Sequence, residues 1–167
     1  LETGVRFFKE AAPQAVKLEG GVKVIPQIKK LIAAGIPVMG HLGLTPQSVH
    51  ALGGFKVQGR GADGDAILAD ALALQEAGVF ALVLELVPAE LAKKITEALS
   101  IPVIGIGAGK DCDGQVLVWT DLLGLTKNAP KMAKAYRNLR SEAAAGISEW
   151  ARDVANGSFP GPDQTFN

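Results

Sequence analysis

Apolar residues in this chain come in short runs separated by longer stretches of helical periodicity. Five runs rich in Val, Ile and Leu stand out: AVKLEG (15–20), PVMGHLGL (37–44), VFALVLE (79–85), IPVIGIG (101–107) and QVLVWTD (115–121). Strands that alternate with helical segments predict parallel β/α units rather than a sandwich. The entries into the strands repeat: LIAAGIPVMG, LQEAGVFALVLE and ALSIPVIGIG each end a helix on a small residue and begin the next strand almost at once. Gly35 and Gly78 suit the position just past a helix end, and links this short are usual in α/β units.

Helix starts are also marked. Thr45 before Pro46 has the form of an N-cap followed by proline at the first helical position, and Pro88 opens PAELAKKITEAL in the same way. The opening ETGVRFFKEAA reads as the later part of a helix already under way, which gives the chain the look of a piece of a longer one. Residues 55–64, FKVQGRGADG, carry three glycines and fit no core element, so they are expected to form a mobile loop on the carboxyl side of the second strand. From Pro130 to Gly157, Met132, Ala135, Tyr136, Leu139, Ala143, Ile147, Trp150 and Val154 recur at helical spacing, predicting one or two terminal helices before an exposed tail, FPGPDQTFN. Residues 1–167 are expected to belong to one domain.

Composition narrows the possibilities. The chain has 167 residues, 48% of them hydrophobic, enough to bury a core. Lys plus Arg and Asp plus Glu each number 17, leaving no net charge and no basic stripe for nucleic acid. No run is apolar for the length of a membrane span. Cys112 is the only cysteine, so no internal disulfide can form, which suits a cytoplasmic protein. An unreactive loop thiol is the simpler reading of Cys112.

Polar residues gather where barrel chemistry does. In a β/α barrel the reactive groups sit at the carboxyl ends of the strands. Here the five runs finish at Glu19, His41, Glu85, the glycines of GIGAG and Asp121. Lys17 and Glu19 share one strand face, opposite Val16 and Leu18. Either the pair lies on a solvated edge strand, or it holds an anionic substrate and serves a metal, because inward charges survive when paired or coordinated. Glu85 closes a strand with no other polar residue, where partial desolvation raises a carboxylate towards a usable general base; a cap on the helix beginning at Pro88 is the alternative. His41, alone beside glycines, fits a hydrogen-bonded structural residue as well as a catalytic one. GIGAGKD fails both phosphate-loop readings. Lys110 stands where the dinucleotide fingerprint needs its last glycine, a strand and not a helix follows, and Asp111 replaces the Ser or Thr of a P-loop.

Taken together, AVKLEGG, PVMGHLGLTPQSV, VQGR, VLELVP, IGIGAGKDCDGQVLVWTDLLGL and FPGP, in this order from about Ala15 to the end, resemble the ketopantoate hydroxymethyltransferase family. The resemblance implies a (β/α)8 TIM-type barrel, of which this chain supplies about the last five units. It implies transfer of a hydroxymethyl group from methylene-tetrahydrofolate to α-ketoisovalerate in pantothenate and coenzyme A synthesis. A Mg²⁺ ion chelated by the keto acid is part of the same expectation, as is assembly into large homo-oligomers, commonly decamers. By the same resemblance Lys17 binds substrate, Glu19 is associated with the metal, and Glu85 is the general base. Two aspartates of the family that bind metal and substrate precede AVKLEGG and have no counterpart here. A full barrel takes roughly 250 residues and eight strands, so the missing amino-terminal strands are an expected partner. Leu86 stands where cysteine is expected and Lys110 where proline is frequent. A non-catalytic chain that keeps the fold but lacks the complete metal site is the competing reading.

Overall fold

The computed structural model describes residues 1–166. Its regular elements are α1 (Glu2–Ala11), β1 (Val16–Glu19), α2 (Ile25–Ala33), β2 (Val38–Gly43), α3 (Asp63–Glu76), β3 (Ala81–Glu85), α4 (Ala89–Ala98), β4 (Val103–Ile106), β5 (Gly114–Gln115), α5 (Trp119–Leu122) and α6 (Leu139–Asn156), with 3-10 turns at Val22–Val24, Pro46–Ser48 and Pro162–Gln164. The chain divides into two compact units, Leu1–Val116 and the part from Leu117 onward.

In the first unit five strands form one sheet in the order β1-β2-β3-β4-β5, and every neighbouring pair is parallel. Strands that follow one another without reversal are wound in one direction, as in a β/α barrel; a doubly wound sheet would change direction at a switch point. Alternation along the strands separates two faces. Val38, Leu42, Leu82, Leu84 and Val103 point to one face and pack into a single core with Ile28, Leu31, Ala71, Leu74, Ala92 and Ile95 from α2, α3 and α4. Lys17, Glu19, Met39, His41, Val83 and Glu85 fall on the other face, the one a closed barrel turns inward. The strand expected to be ionic on one face and oily on the other, AVKLEG, is built that way.

Helix-to-strand links are as short as the sequence implies: Gly35 (φ 79) and Gly78 (φ 97) take the left-handed conformation just past α2 and α3, which glycine adopts without a Cβ penalty. The expected loop at 55–64 is irregular through Ala62 but pinned in the middle, where the Gln58 N–H donates to the Leu86 carbonyl at 2.8 Å.

Three sequence expectations need correction. QVLVWTD is not a strand: only Gly114 and Gln115 pair, and α5 begins at Trp119, so Asp121 lies in a helix and not at a strand end. β5 has a neighbour on one side alone, and Val116 and Val118 remain about half exposed; strand propensity had no second ladder to join. His41 does not end its strand either, because β2 runs on to Gly43, whose φ of 88 turns the chain. Thr45-Pro46 starts a three-residue 3-10 turn without a side-chain cap, in place of a helix.

The second unit carries α5, α6 and the final turn. The helical stripe begins at Leu139 and not at Pro130; Asn138 caps α6 by accepting from the Ser141 N–H at 3.4 Å, and Gly157 (φ 79) ends it. Ile147, Trp150 and Val154 on that helix are exposed.

Candidate active site

At the carboxyl end of the sheet, register does the assembly. Glu19 pairs with His41 across β1 and β2, and Gly43 pairs with Glu85 across β2 and β3. These partners share a face, so one row brings Lys17, Glu19, His41 and Glu85 together. The Lys17 ammonium lies 3.1 Å from Glu19 Oε1 and 3.1 Å from His41 Nδ1. His41 Nδ1 is 3.6 Å from Glu19 Oε1, and on the far side of the ring Nε2 is 3.2 Å from Glu85 Oε2. The second oxygen of Glu19 accepts the Gln47 backbone N–H at 3.0 Å. β1 is an edge strand and Lys17 is half-exposed, but the Glu19 and His41 side chains are buried, so the pair is only half solvated.

The backbone around Glu85 leaves little freedom. A Cβ on Gly43 would fall 2.1 Å from the Glu85 carbonyl oxygen, which accepts the Leu44 N–H at 2.8 Å. Only glycine fits there, on both space and φ. Leu86, directly after Glu85, holds a positive φ of 47, an uncommon state for a branched side chain. Its N–H donates to the Ile106 carbonyl at 2.9 Å while its own carbonyl accepts from Gln58. A non-glycine residue kept in that region by two flanking hydrogen bonds is the pattern of a site that fixes its backbone at some cost.

Electrostatics separates the titratable groups. Burial, reinforced by the Lys17 ammonium, pushes the His41 imidazole down to about 4, so the ring is neutral near pH 7. Burial also raises the Glu85 carboxyl, with the negative charge of Glu19 acting in the same sense and Lys17 against it. The rise is what a general base at the end of an apolar strand requires. Glu85 does not cap α4: the cap position is Pro88, with no side-chain bond.

The other candidates lie elsewhere. Asp121 belongs to the second unit. Burial pushes the Cys112 thiol up, away from the thiolate, and its sulfur fills the space beside Gly105. Gly109 packs against Ala89, where a Cβ would sit 2.5 Å from the alanine Cβ, so this glycine of GIGAGKD serves close packing on α4. Sequence reasoning gave His41 too little weight and passed over Gly43 and Gln47. His41 was detectable, since it sits on the Lys17–Glu19 face, but only register shows that it lies level with Glu19.

A segment of a β/α barrel with a cluster of charged residues at the carboxyl ends of its strands has the arrangement of a barrel enzyme's active face. The family model described as ketopantoate hydroxymethyltransferase matches residues 1–162, and the chain belongs to that family. A 3-methyl-2-oxobutanoate hydroxymethyltransferase of Acidothermus cellulolyticus is 60% identical over 161 residues, covering 96% of this chain and 59% of that protein. The proteins of the same name from Moorella thermoacetica and Chloroflexus aurantiacus are 58% and 56% identical, covering 96% and 99% of this chain and 61% and 59% of their own length. The chain thus spans about three fifths of the curated relatives it matches.

Proposed function

We propose that this chain supplies Lys17, Glu19, His41 and Glu85 to the active site of an enzyme that transfers a hydroxymethyl group to α-ketoisovalerate, with methylene-tetrahydrofolate as one-carbon donor, to form ketopantoate for pantothenate and coenzyme A synthesis. The observation that carries the reading is Glu85: a carboxylate with a raised proton affinity, held on a fixed turn beside a neutral His41. The remaining strands of the barrel, and the cytoplasmic, oligomeric enzyme they complete, belong to the same proposal.

Each residue has a task its position allows. The half-exposed Lys17 ammonium draws in the carboxylate of the keto acid. Glu85 takes the proton from the branched carbon next to the carbonyl; water releases the one-carbon unit from methylene-tetrahydrofolate at the oxidation level of formaldehyde, leaving tetrahydrofolate, and the enolate attacks that carbon while the proton held by Glu85 passes to the new hydroxyl oxygen. The buried row Glu19–His41 keeps Lys17 oriented and excludes water from one side of that carbon.

The proposed Mg²⁺ fits Glu19 only in part. Among the described residues no group of three His, Cys, Asp or Glu is arranged to hold a metal ion, and both Glu19 oxygens already accept hydrogen bonds. That suits a carboxylate that steadies the ion's water or the substrate oxygens, the enclosing ligands coming from the rest of the family-length protein. When bound, the ion polarises the keto carbonyl and acidifies the neighbouring C–H.

The decisive measurement is exchange of the branched-carbon proton of α-ketoisovalerate with deuterated water, without folate, in a complete polypeptide of family length. Glu85→Gln keeps the shape and removes the base, so exchange should fall by about a hundred- to ten-thousand-fold while the keto acid still binds. Exchange at the wild-type rate would mean another group is the base.

A further inference from the structure

We infer that His41 is a positioning residue for Glu85: its Nε2–H holds Oε2 of the carboxylate and leaves Oε1 as the oxygen that accepts the substrate's proton. The inference rests on the proposed role of Glu85. The first ground is the tautomer. A lysine ammonium donates hydrogen bonds and accepts none, so the His41 Nδ1 that lies 3.1 Å from Lys17 Nζ must offer its lone pair. In a neutral ring the proton is then on Nε2.

The second ground is that this proton has no partner. Nε2 of His41 is the buried side-chain nitrogen that, among the described residues, makes no hydrogen bond. Glu85 Oε2 lies 3.2 Å away but out of line with the N–H. A buried donor left unpaired is costly, and a small turn of the Glu85 side chain, the acceptor already in reach, removes that cost. With Oε2 so held, Oε1 is the free oxygen. The same tautomer rules out His41 as the base: Nε2 carries a proton and the Nδ1 lone pair is taken by Lys17. His41 acts through Glu85.

Two readouts in the complete family-length protein test this. In ¹⁵N-histidine spectra near neutral pH, the resonances lost on His41→Gln should show a protonated Nε2 and an unprotonated Nδ1. Lys17→Met should mix the two tautomers. A protonated Nδ1 or a doubly protonated ring in the wild type overturns the inference whatever the fate of the proposed reaction. In proton exchange, His41→Ala should lower kcat on the order of 10–100-fold, the scale of a misaligned reacting group, with KM for the keto acid changed by less than about threefold. His41→Gln, whose amide N–H reaches the level of Nε2, should recover most of the loss, and His41→Asn, which reaches only the level of Nδ1, should not. If His41→Ala does not fold, the contrast between Gln and Asn decides. Equal rates for those two, or a wild-type kcat for Ala, sink the positioning role. Loss of exchange in Glu85→Gln alongside a wild-type rate in His41→Ala would spare the proposed function and remove this inference alone.

Discussion

The two faces of the sheet in Leu1–Val116 are made from the same strands and do opposite work. On one face Val38, Leu82, Leu84 and Val103 are completely buried under α2, α3 and α4. On the other, Lys17, Glu19, His41 and Glu85 touch one another in a row, and what they bury is charge and unpaired donor capacity. The first face stores the folding free energy. The second is held in a state it would not choose alone, which a fold can support only when its stability comes from elsewhere.

Breaking the first face should therefore cost the most stability and change the chemistry least. Leu82 is fully buried and, together with Leu74, fills the space beside Gly40. In the family-length protein Leu82→Ala should lose about 2–5 kcal/mol of unfolding free energy, read by chemical denaturation. The rate of proton exchange per folded molecule should stay near wild type. A large fall in that rate with little loss of stability would mean that the faces are not separate.

The same contrast explains what the sequence shows and what it hides. The covered face follows from periodicity: the alternation in VFALVLE and the short links ending in Gly35 and Gly78 suffice to place β3 and its neighbours. Lys17, Glu19 and Glu85 are visible as charges in otherwise apolar runs. Hidden is everything set by register or by a missing neighbour. His41 is a lone histidine until pairing with Glu19 puts it in the row. Gln47 contributes a backbone N–H, which no side-chain pattern can signal. QVLVWTD has the composition of a strand, yet composition says nothing about whether a second strand is there to pair with it.

Acid should act on the second face first. In the folded protein His41 titrates at about 4 against an ordinary 6.5. Above pH 6.5 neither state binds the proton, so the shift has no effect on stability there. Below it the unfolded chain takes up a proton that the folded one refuses, and stability is lost progressively until about pH 4. Glu85 works in the opposite sense: its raised proton affinity means the folded state binds a proton more readily than the unfolded one, so acid relieves part of the strain at that residue. His41→Gln removes the first effect and leaves the second. Between about pH 7.5 and about pH 4.5 the wild type should lose about 2–3 kcal/mol more than His41→Gln. Equal acid sensitivity of the two would show that His41 is not held neutral.

The smallest expected change in stability separates the faces most sharply. Glu19 is buried, but its bonds go to a half-exposed Lys17 and to one backbone N–H, not to the core. Glu19→Gln keeps the volume and an acceptor oxygen for Gln47, and the half-exposed Lys17 it leaves behind can turn to water, so the loss should be small beside that of Leu82→Ala. Its effect on the proposed Mg²⁺ should be larger, because a carboxylate that steadies an ion's water or its chelated substrate tunes affinity on the order of 10–100-fold. Titrating Mg²⁺ against the exchange rate in the family-length protein, with a denaturation curve on the same sample, reads both quantities. The expected outcome is a higher Mg²⁺ requirement at nearly unchanged stability. If instead stability fell as far as in Leu82→Ala while the Mg²⁺ requirement stayed the same, Glu19 would belong with the folding face, and the charged row would begin at Lys17 and His41.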